Sequence, residues 1–353
     1  VYGFLDKYVS TPAAKSIEAK SLMNLNRSRE AVAAMEVSWG MYNTGIDRGW
    51  IPAISIVDWF VDLKPLFKNG PEEGERMARR LASGKLTSEQ QYGLANFYKE
   101  YGVQYVDKTI ALIDESVNDS RTDTTMRANL LNLKGGYLVE VGKFEESKAV
   151  FKQLVEEFDS ALVLNNYAYV VGVYMNEPEE GLILAKKAAK KAPRNPSIID
   201  TVSELYQRTG NFVKAAEMLD YLVILDPSNA KAMAKLAILN SEQLKQPERG
   251  IIFAERARSI SPRLPEVLDA LGWSYFQLGR EDKAKDYLQR SLREGETMNA
   301  YVHLAQVVTE RREYDKALDY LRMAQELAED SYSKDSITAL KDDIRSIQVA
   351  IPE

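Results

Sequence analysis

The sequence predicts an all-α protein built from stacked helix pairs, and three observations carry that prediction. A small-residue slot recurs at Ser147, Gly181, Ala215, Gly250, Ala284 and Ala317, at spacings of 34, 34, 35, 34 and 33 residues. Between slots the apolar residues follow a helical period twice, as in Leu268, Leu271, Gly272 and Tyr275, then Ala284, Leu288, Ser291 and Leu292. Each interval is also punctuated in the same places. Gly142, Gly210 and Gly279 stand five residues before their slots, where glycine closes a first helix, and Pro178 and Pro247 replace them at the first turn of a second helix. Six units in phase are the signature of a solenoid, in which each unit buries its apolar face on the next.

Taken from the start, Ala19, Leu22, Ala31 and Met35 predict a degenerate pair followed by a long connection from Asn43 to Trp50. A second degenerate unit runs through an aromatic-rich helix with Trp59, Phe60, Leu63 and Phe67 into Pro71-Glu-Glu-Gly74. A third has Leu94, Ala95, Tyr98 and Gly102 on its first helix. Thr87-Ser-Glu-Gln90 forms its capping box, and a second helix runs from about Tyr105 to Val117. Six regular units then fill residues 128–330, divided by Ala192-Pro193, Asp226-Pro227-Ser228 and Ser261-Pro262. Ile337, Leu340, Ile344 and Ile347 predict an amphipathic helix that closes the stack within 331–353. The expected organisation is one continuous solenoid of about nine helix pairs: degenerate repeats in 1–127, regular repeats in 128–330 and a C-terminal cap.

Composition removes most chemistry. The 353 residues are 45% hydrophobic and 28% charged, with 46 Lys plus Arg against 52 Asp plus Glu, so no uniform cationic surface is available for nucleic acid. There is no cysteine and one histidine, His303, which excludes thiolate sites and any triad or metal cage that needs two imidazoles. The longest apolar run, near Ile51 to Phe60, is short and broken by Pro52 and Asp58, so no membrane insertion is expected. Lys134-Gly135-Gly136 lies inside a helix with no preceding strand and is no phosphate loop. His303 has no neighbouring ligand types along its helix and is expected at the surface or in packing. No catalytic residue, cofactor or metal is expected. The chain begins at Val1, which suggests an upstream segment, and a cysteine-free composition suits a cytoplasmic and a periplasmic location equally.

The units resemble the tetratricopeptide repeat. Ile199, Val202, Ser203, Tyr206, Ala215, Leu219, Leu222 and Pro227 follow its pattern, as do Tyr301, Leu304, Ala305, Val308, Ala317, Leu321 and Ala324. The resemblance implies a right-handed superhelix whose first helices line a concave groove. It also implies a non-catalytic scaffold that binds an extended peptide or a partner helix there. The alternative is a sensor or substrate-recruiting arm of a larger enzyme. Positions that face the groove in the family include Asn132, Asn165, Tyr169, Asp200, Glu204, Asp269, Trp273 and Phe276. The aromatic ones offer the largest contact area, although a tryptophan there packs on the next repeat as readily as on a ligand. The lysine and asparagine pattern of family members that clamp a C-terminal carboxylate is absent, as is the recurring asparagine of those attached to sugar transferases. The expected partner is a protein or peptide, and an N-terminal end without a clear cap leaves homo-oligomerisation open.

Overall fold

A computed structural model of the chain describes residues 12–25, 27–47, 64, 70–81 and 86–350, and every regular element among them is helical. The chain divides into two compact units, Val1–Leu154 and Val155–Glu353.

In the first unit α1 (Pro12–Asn24) pairs with α2 (Ser28–Asp47) around Ala19, Leu22, Ala31 and Met35. The connection expected from Asn43 is helical as far as Asp47. Trp59, Phe60, Leu63 and Phe67 lie outside the described residues. Pro71 leads directly into α3 (Glu72–Leu81), with Glu72, Glu73 and Glu75 in its first turn facing the positive end of the helix dipole. The capping box forms as predicted on α4 (Ser88–Glu100): Thr87 Oγ1 accepts from the Gln90 amide, and Gln90 Oε1 accepts from the Thr87 amide at 2.9 Å. One 3-10 turn separates α4 from α5 (Val106–Val117). Then come α6 (Thr124–Glu140) and α7 (Phe144–Glu157), whose C-terminal end enters the second unit.

The second unit repeats one motif. Its helices are α8 (Ala161–Tyr169), α9 (Pro178–Lys191), α10 (Pro196–Arg208), α11 (Phe212–Leu225), α12 (Ala230–Glu242) and α13 (Pro247–Ile260). They continue as α14 (Pro265–Gln277), α15 (Glu281–Glu294), α16 (Met298–Glu310), α17 (Tyr314–Leu327) and α18 (Ser331–Ala350). Each helix packs on its chain neighbours; among first helices, α8 also touches α10, and α14 touches both α12 and α16, while an Asp200–Lys235 ion pair links α10 to α12. The fold is therefore an all-α solenoid. Asn195, Asn229 and Thr297 cap α10, α12 and α16, each side chain accepting from a first-turn amide; such a cap contributes about 1 kcal/mol.

The turns inside the pairs solve one problem in two ways. Gly210 takes φ 72° and closes α10, with Gly142 and Gly279 alike, whereas Asn176, Lys245 and Arg312 adopt φ 57°, 52° and 61° without glycine. The left-handed residue is thus kept at Asn176 and Lys245, where the sequence shows only a downstream proline, and at Arg312, where it shows neither glycine nor proline.

At the recurring slot the two helices of a pair nearly touch. Ser147, Ala215, Ala284 and Ala317 are fully buried, and a methyl group added at Gly181 would sit 2.5 Å from Gly172 Cα and 2.8 Å from the Ala168 carbonyl. Where serine occupies the contact its hydroxyl is used: Ser203 Oγ donates to the Ala215 carbonyl at 3.0 Å, and Ser147 Oγ to the Gly135 carbonyl at 2.8 Å. The core runs as adjoining apolar clusters that bridge neighbouring pairs, one of them joining Leu222 and Met233 to Ala254 and Leu271.

Gly181→Ala tests this contact by its sign. Helix propensity alone would add up to about 1 kcal/mol, while the backbone collision predicts a loss of about 1–3 kcal/mol, read as a lower urea midpoint. Ala284→Leu is expected to lose a similar amount by the same overpacking.

Candidate functional site

Of the eight positions the repeat resemblance assigns to a groove, Asn132 lies exposed on α6 in the first unit, and the other seven lie on first helices of the second. Those seven form two groups.

Asn165, Tyr169, Asp200 and Glu204 occupy α8 and α10. Asn165 is buried, and its Oδ1 has no protein partner. Asp200 is held by Lys235 of the next first helix at 2.6 Å, beside a shallow cleft of about 220 Å³. Tyr169 is 38% exposed and meets Tyr174 edge to face, with ring centroids 5.6 Å apart. In an α-helix residues five apart point about 140° away from each other. Here one π turn, Val170–Tyr174, closed by the Met175 amide on the Val170 carbonyl at 3.0 Å, brings the two rings onto one side. Burial pushes the Tyr169 phenol upward, and Glu204 adds to the shift, so it stays a protonated donor.

Glu204 binds Arg208 at 3.0 Å, and Arg208 is the hub of this end of the face. Its guanidinium reaches Asp330 Oδ1 and Oδ2 at 3.2 and 3.4 Å and lies 4.9 Å from the Tyr332 ring centroid. Tyr174 donates to Glu329 at 3.3 Å. Residues 329–332 are thereby tied to helices more than a hundred positions earlier in the chain. Burial acts against the Asp330 carboxylate, but its bonds to Arg208 and Ser333 outweigh that and hold it below the usual carboxylate range.

The second group is Asp269, Trp273 and Phe276 on α14. Trp273 is 3% exposed; its indole stacks on His303 of the next first helix at 4.1 Å with 12° between planes, and on Phe276 at 5.2 Å. Asp269 is 2% exposed, with Oδ1 2.7 Å from His303 Nδ1. His303 thus packs inside, as one of the two expectations for it held, but it does have a carboxylate neighbour. The spacing of 34 residues between Asp269 and His303 is the signal that could have found it. Burial lowers the His303 pKa, yet Asp269, and more distantly Glu242, outweigh it and leave the imidazole above its ordinary value.

Around this stack opens a cleft of about 350 Å³ at the C-terminal ends of α12, α14 and α16. Trp273, Phe276, Gln277, Gln306, Thr309 and Glu310 line it, with Glu242 and Lys245 at one side. The remaining wall is α18, through Leu340, Asp343, Ile344 and Ile347. The closing helix therefore buries Ile337 and Ile344 against the last pair and also builds one side of the cleft, a second role that its apolar period alone does not reveal.

The tetratricopeptide repeat family model matches residues 270–333, from within α14 to the first turn of α18. Residues 270–333 carry tetratricopeptide repeat sequence. A crystal structure of a tetratricopeptide repeat protein from Parabacteroides merdae ATCC 43184 superposes with a TM-score of 0.61 at 16% identity, over 73% of this chain and 98% of that one. The APC/C hetero-tetramer Cut9–Hcn1 gives a TM-score of 0.50 at 14% identity, over 97% and 71%. At such identities the likeness is one of fold. Cellulose synthase operon protein C of Pseudomonas fluorescens (strain SBW25) is 23% identical over 259 residues, 69% of this chain and 18% of that protein. A TPR repeat-containing protein of Pseudomonas aeruginosa is 20% identical over 170 residues, 48% and 29% respectively. The chain spans less than a third of the length of these curated relatives. Among the described residues no helix is long and apolar enough to cross a membrane.

Two predictions follow from the buried charges of these repeats. Because the folded pKa of His303 is raised, the ion pair with Asp269 stabilises fully below the ordinary histidine value of about 6.5 and is lost as pH rises through the raised one. The only imidazole in the chain should titrate above that value by NMR, and Asp269→Asn should bring it down. Asp330→Ala removes one partner of a buried Arg208 and is expected to destabilise by roughly 3 kcal/mol, whereas an exposed pair such as Arg322 with Asp319 is worth under about 1 kcal/mol.

Proposed function

We propose that this chain is a non-catalytic scaffold that holds an extended segment or helix of a protein partner against the face of its first helices. The observation that carries this reading is the cleft between α14, α16 and α18. It combines an aromatic floor, apolar side chains on the facing wall and polar groups at the rim, the mixture by which peptide-binding surfaces gain contact area and orientation. Stacked helix pairs are protein-interaction folds, and this face has no surplus of basic groups that would favour nucleic acid: Lys231 and Lys235 are already paired with Glu266 and Asp200.

A second reading is favoured by one comparison. The aligned part of the Pseudomonas fluorescens relative is a small share of a longer protein named for a cellulose synthase operon, so this chain can equally be read as the recruiting arm of a polymer-synthesising assembly. Both readings place the chemistry elsewhere and leave these residues with binding.

A photo-crosslinking amino acid placed at Phe276 in the source cell is expected to trap a protein partner, while the same group at Arg256, exposed on the second helix α13, is not. The reverse pattern would move recognition to the second-helix face.

A further inference from the structure

The face of first helices in the second unit neutralises its own charges at nearly every position. Lys235 binds Asp200, Lys231 binds Glu266 at 2.8 Å, Glu204 binds Arg208, and Asp269 meets His303. The cleft beside α18 breaks that pattern. Glu242, Glu310 and Asp343 line it, and none of the three makes an ion pair among the described residues; Lys245 is the only cation on the lining. Three carboxylates against one lysine leave the lining with an excess of negative charge, which an added cation offsets.

A second observation at the same place concerns hydrogen bonds. Trp273, nine-tenths buried and more, forms part of the cleft's lining, yet its indole N–H has no acceptor, and the Oε1 of Gln306, on the same lining, has no donor. Unpaired buried groups of this kind are uncommon in folded proteins, and a peptide backbone carries both the acceptor and the donor that these two groups lack.

The third is shape and polarity. The α18 wall, which carries Asp343, also presents Leu340 and Ile347, the latter 42% exposed, and the half-buried Phe276 ring lies on the same lining. Long cationic side chains suit such a site, because their methylene stems lie on apolar and aromatic surface while the head reaches the carboxylates.

From these we infer that the cleft between α14, α16 and α18 takes an extended segment of a protein partner carrying a lysine or arginine, the aliphatic stem over Phe276 and the cation among Glu242, Glu310 and Asp343. This rests on the scaffold reading above and adds to it the class of segment recognised.

The test uses the full chain and random dodecapeptides displayed on phage. Enriched sequences, made as acetylated and amidated peptides, are titrated by calorimetry against the native chain, Phe276→Ala and the double variant Glu242→Gln, Glu310→Gln. The two glutamates are not buried, so the double variant should keep its circular dichroism spectrum. The expected result is enrichment of Lys or Arg next to apolar residues, with binding weakened by about ten-fold or more, ~1.4 kcal/mol, in the double variant and by raised salt. Enriched peptides without a basic residue that still lose affinity with Phe276→Ala would overturn the cationic specificity and leave the scaffold reading standing. Peptides that bind the native chain and all variants alike would overturn the cleft as the site. No enrichment at all would count against both readings.

Discussion

The two helices of each pair between residues 161 and 327 approach so closely at one point that only hydrogen, a methyl or a hydroxymethyl group fits between them. Gly181 against Gly172, Ser203 against Ala215 and Gly272 against Ala284 are three versions of this contact. Everything else in the unit depends on it, because the angle and depth at which paired helices meet decide where the next first helix can pack. Leucines and larger residues then fill the space on either side, as Leu288 does at Gly272 and Leu205 at Gly172. A side chain added at the slot would meet backbone or a buried leucine, so the contact tolerates little.

That repeated contact sets the first helices side by side and so brings residues 34 or 35 positions apart into register. Asp269 and His303 meet for this reason, as do Asp200 and Lys235, and Lys231 with Glu266. The candidate cleft is a product of the same register, since Glu242, Phe276 and Glu310 come from the ends of three successive first helices. What completes it is α18, which packs on α17 and lines the cleft while residues 329–332 are pinned by Arg208 and Tyr174. The same helix thus protects the last apolar face and shapes the surface offered to a partner.

Repetition made much of this legible from the sequence. The slot spacing, the glycines at 142, 210 and 279, the prolines that open α9 and α13, and the Thr87 capping box each state a local rule whose structural consequence is local too. Features that depend on packing between units were harder to read. Asn176 and Lys245 take a glycine-like backbone because the turn demands it, though neither residue type announces it strongly. The π turn at 170–174 arises in a run of Val, Gly and Tyr with no proline to mark it. Trp273 and Asp269 sit at positions that line the groove in the family pattern, yet both are buried against His303. The ends of a repeat array follow the periodic rule least, which is why the double role of α18 is a property of the folded chain rather than of its apolar spacing.

The central claim is that one close helix contact, recurring with the repeat, holds the second unit together. Hydrogen exchange of the full chain, resolved to single amides, tests it most directly. The account predicts maxima of protection that recur every 34 or so residues on the helix turns around Gly181, Ala215, Gly250, Ala284 and Ala317. Protection that is flat along the unit, or that peaks away from these turns, would contradict it.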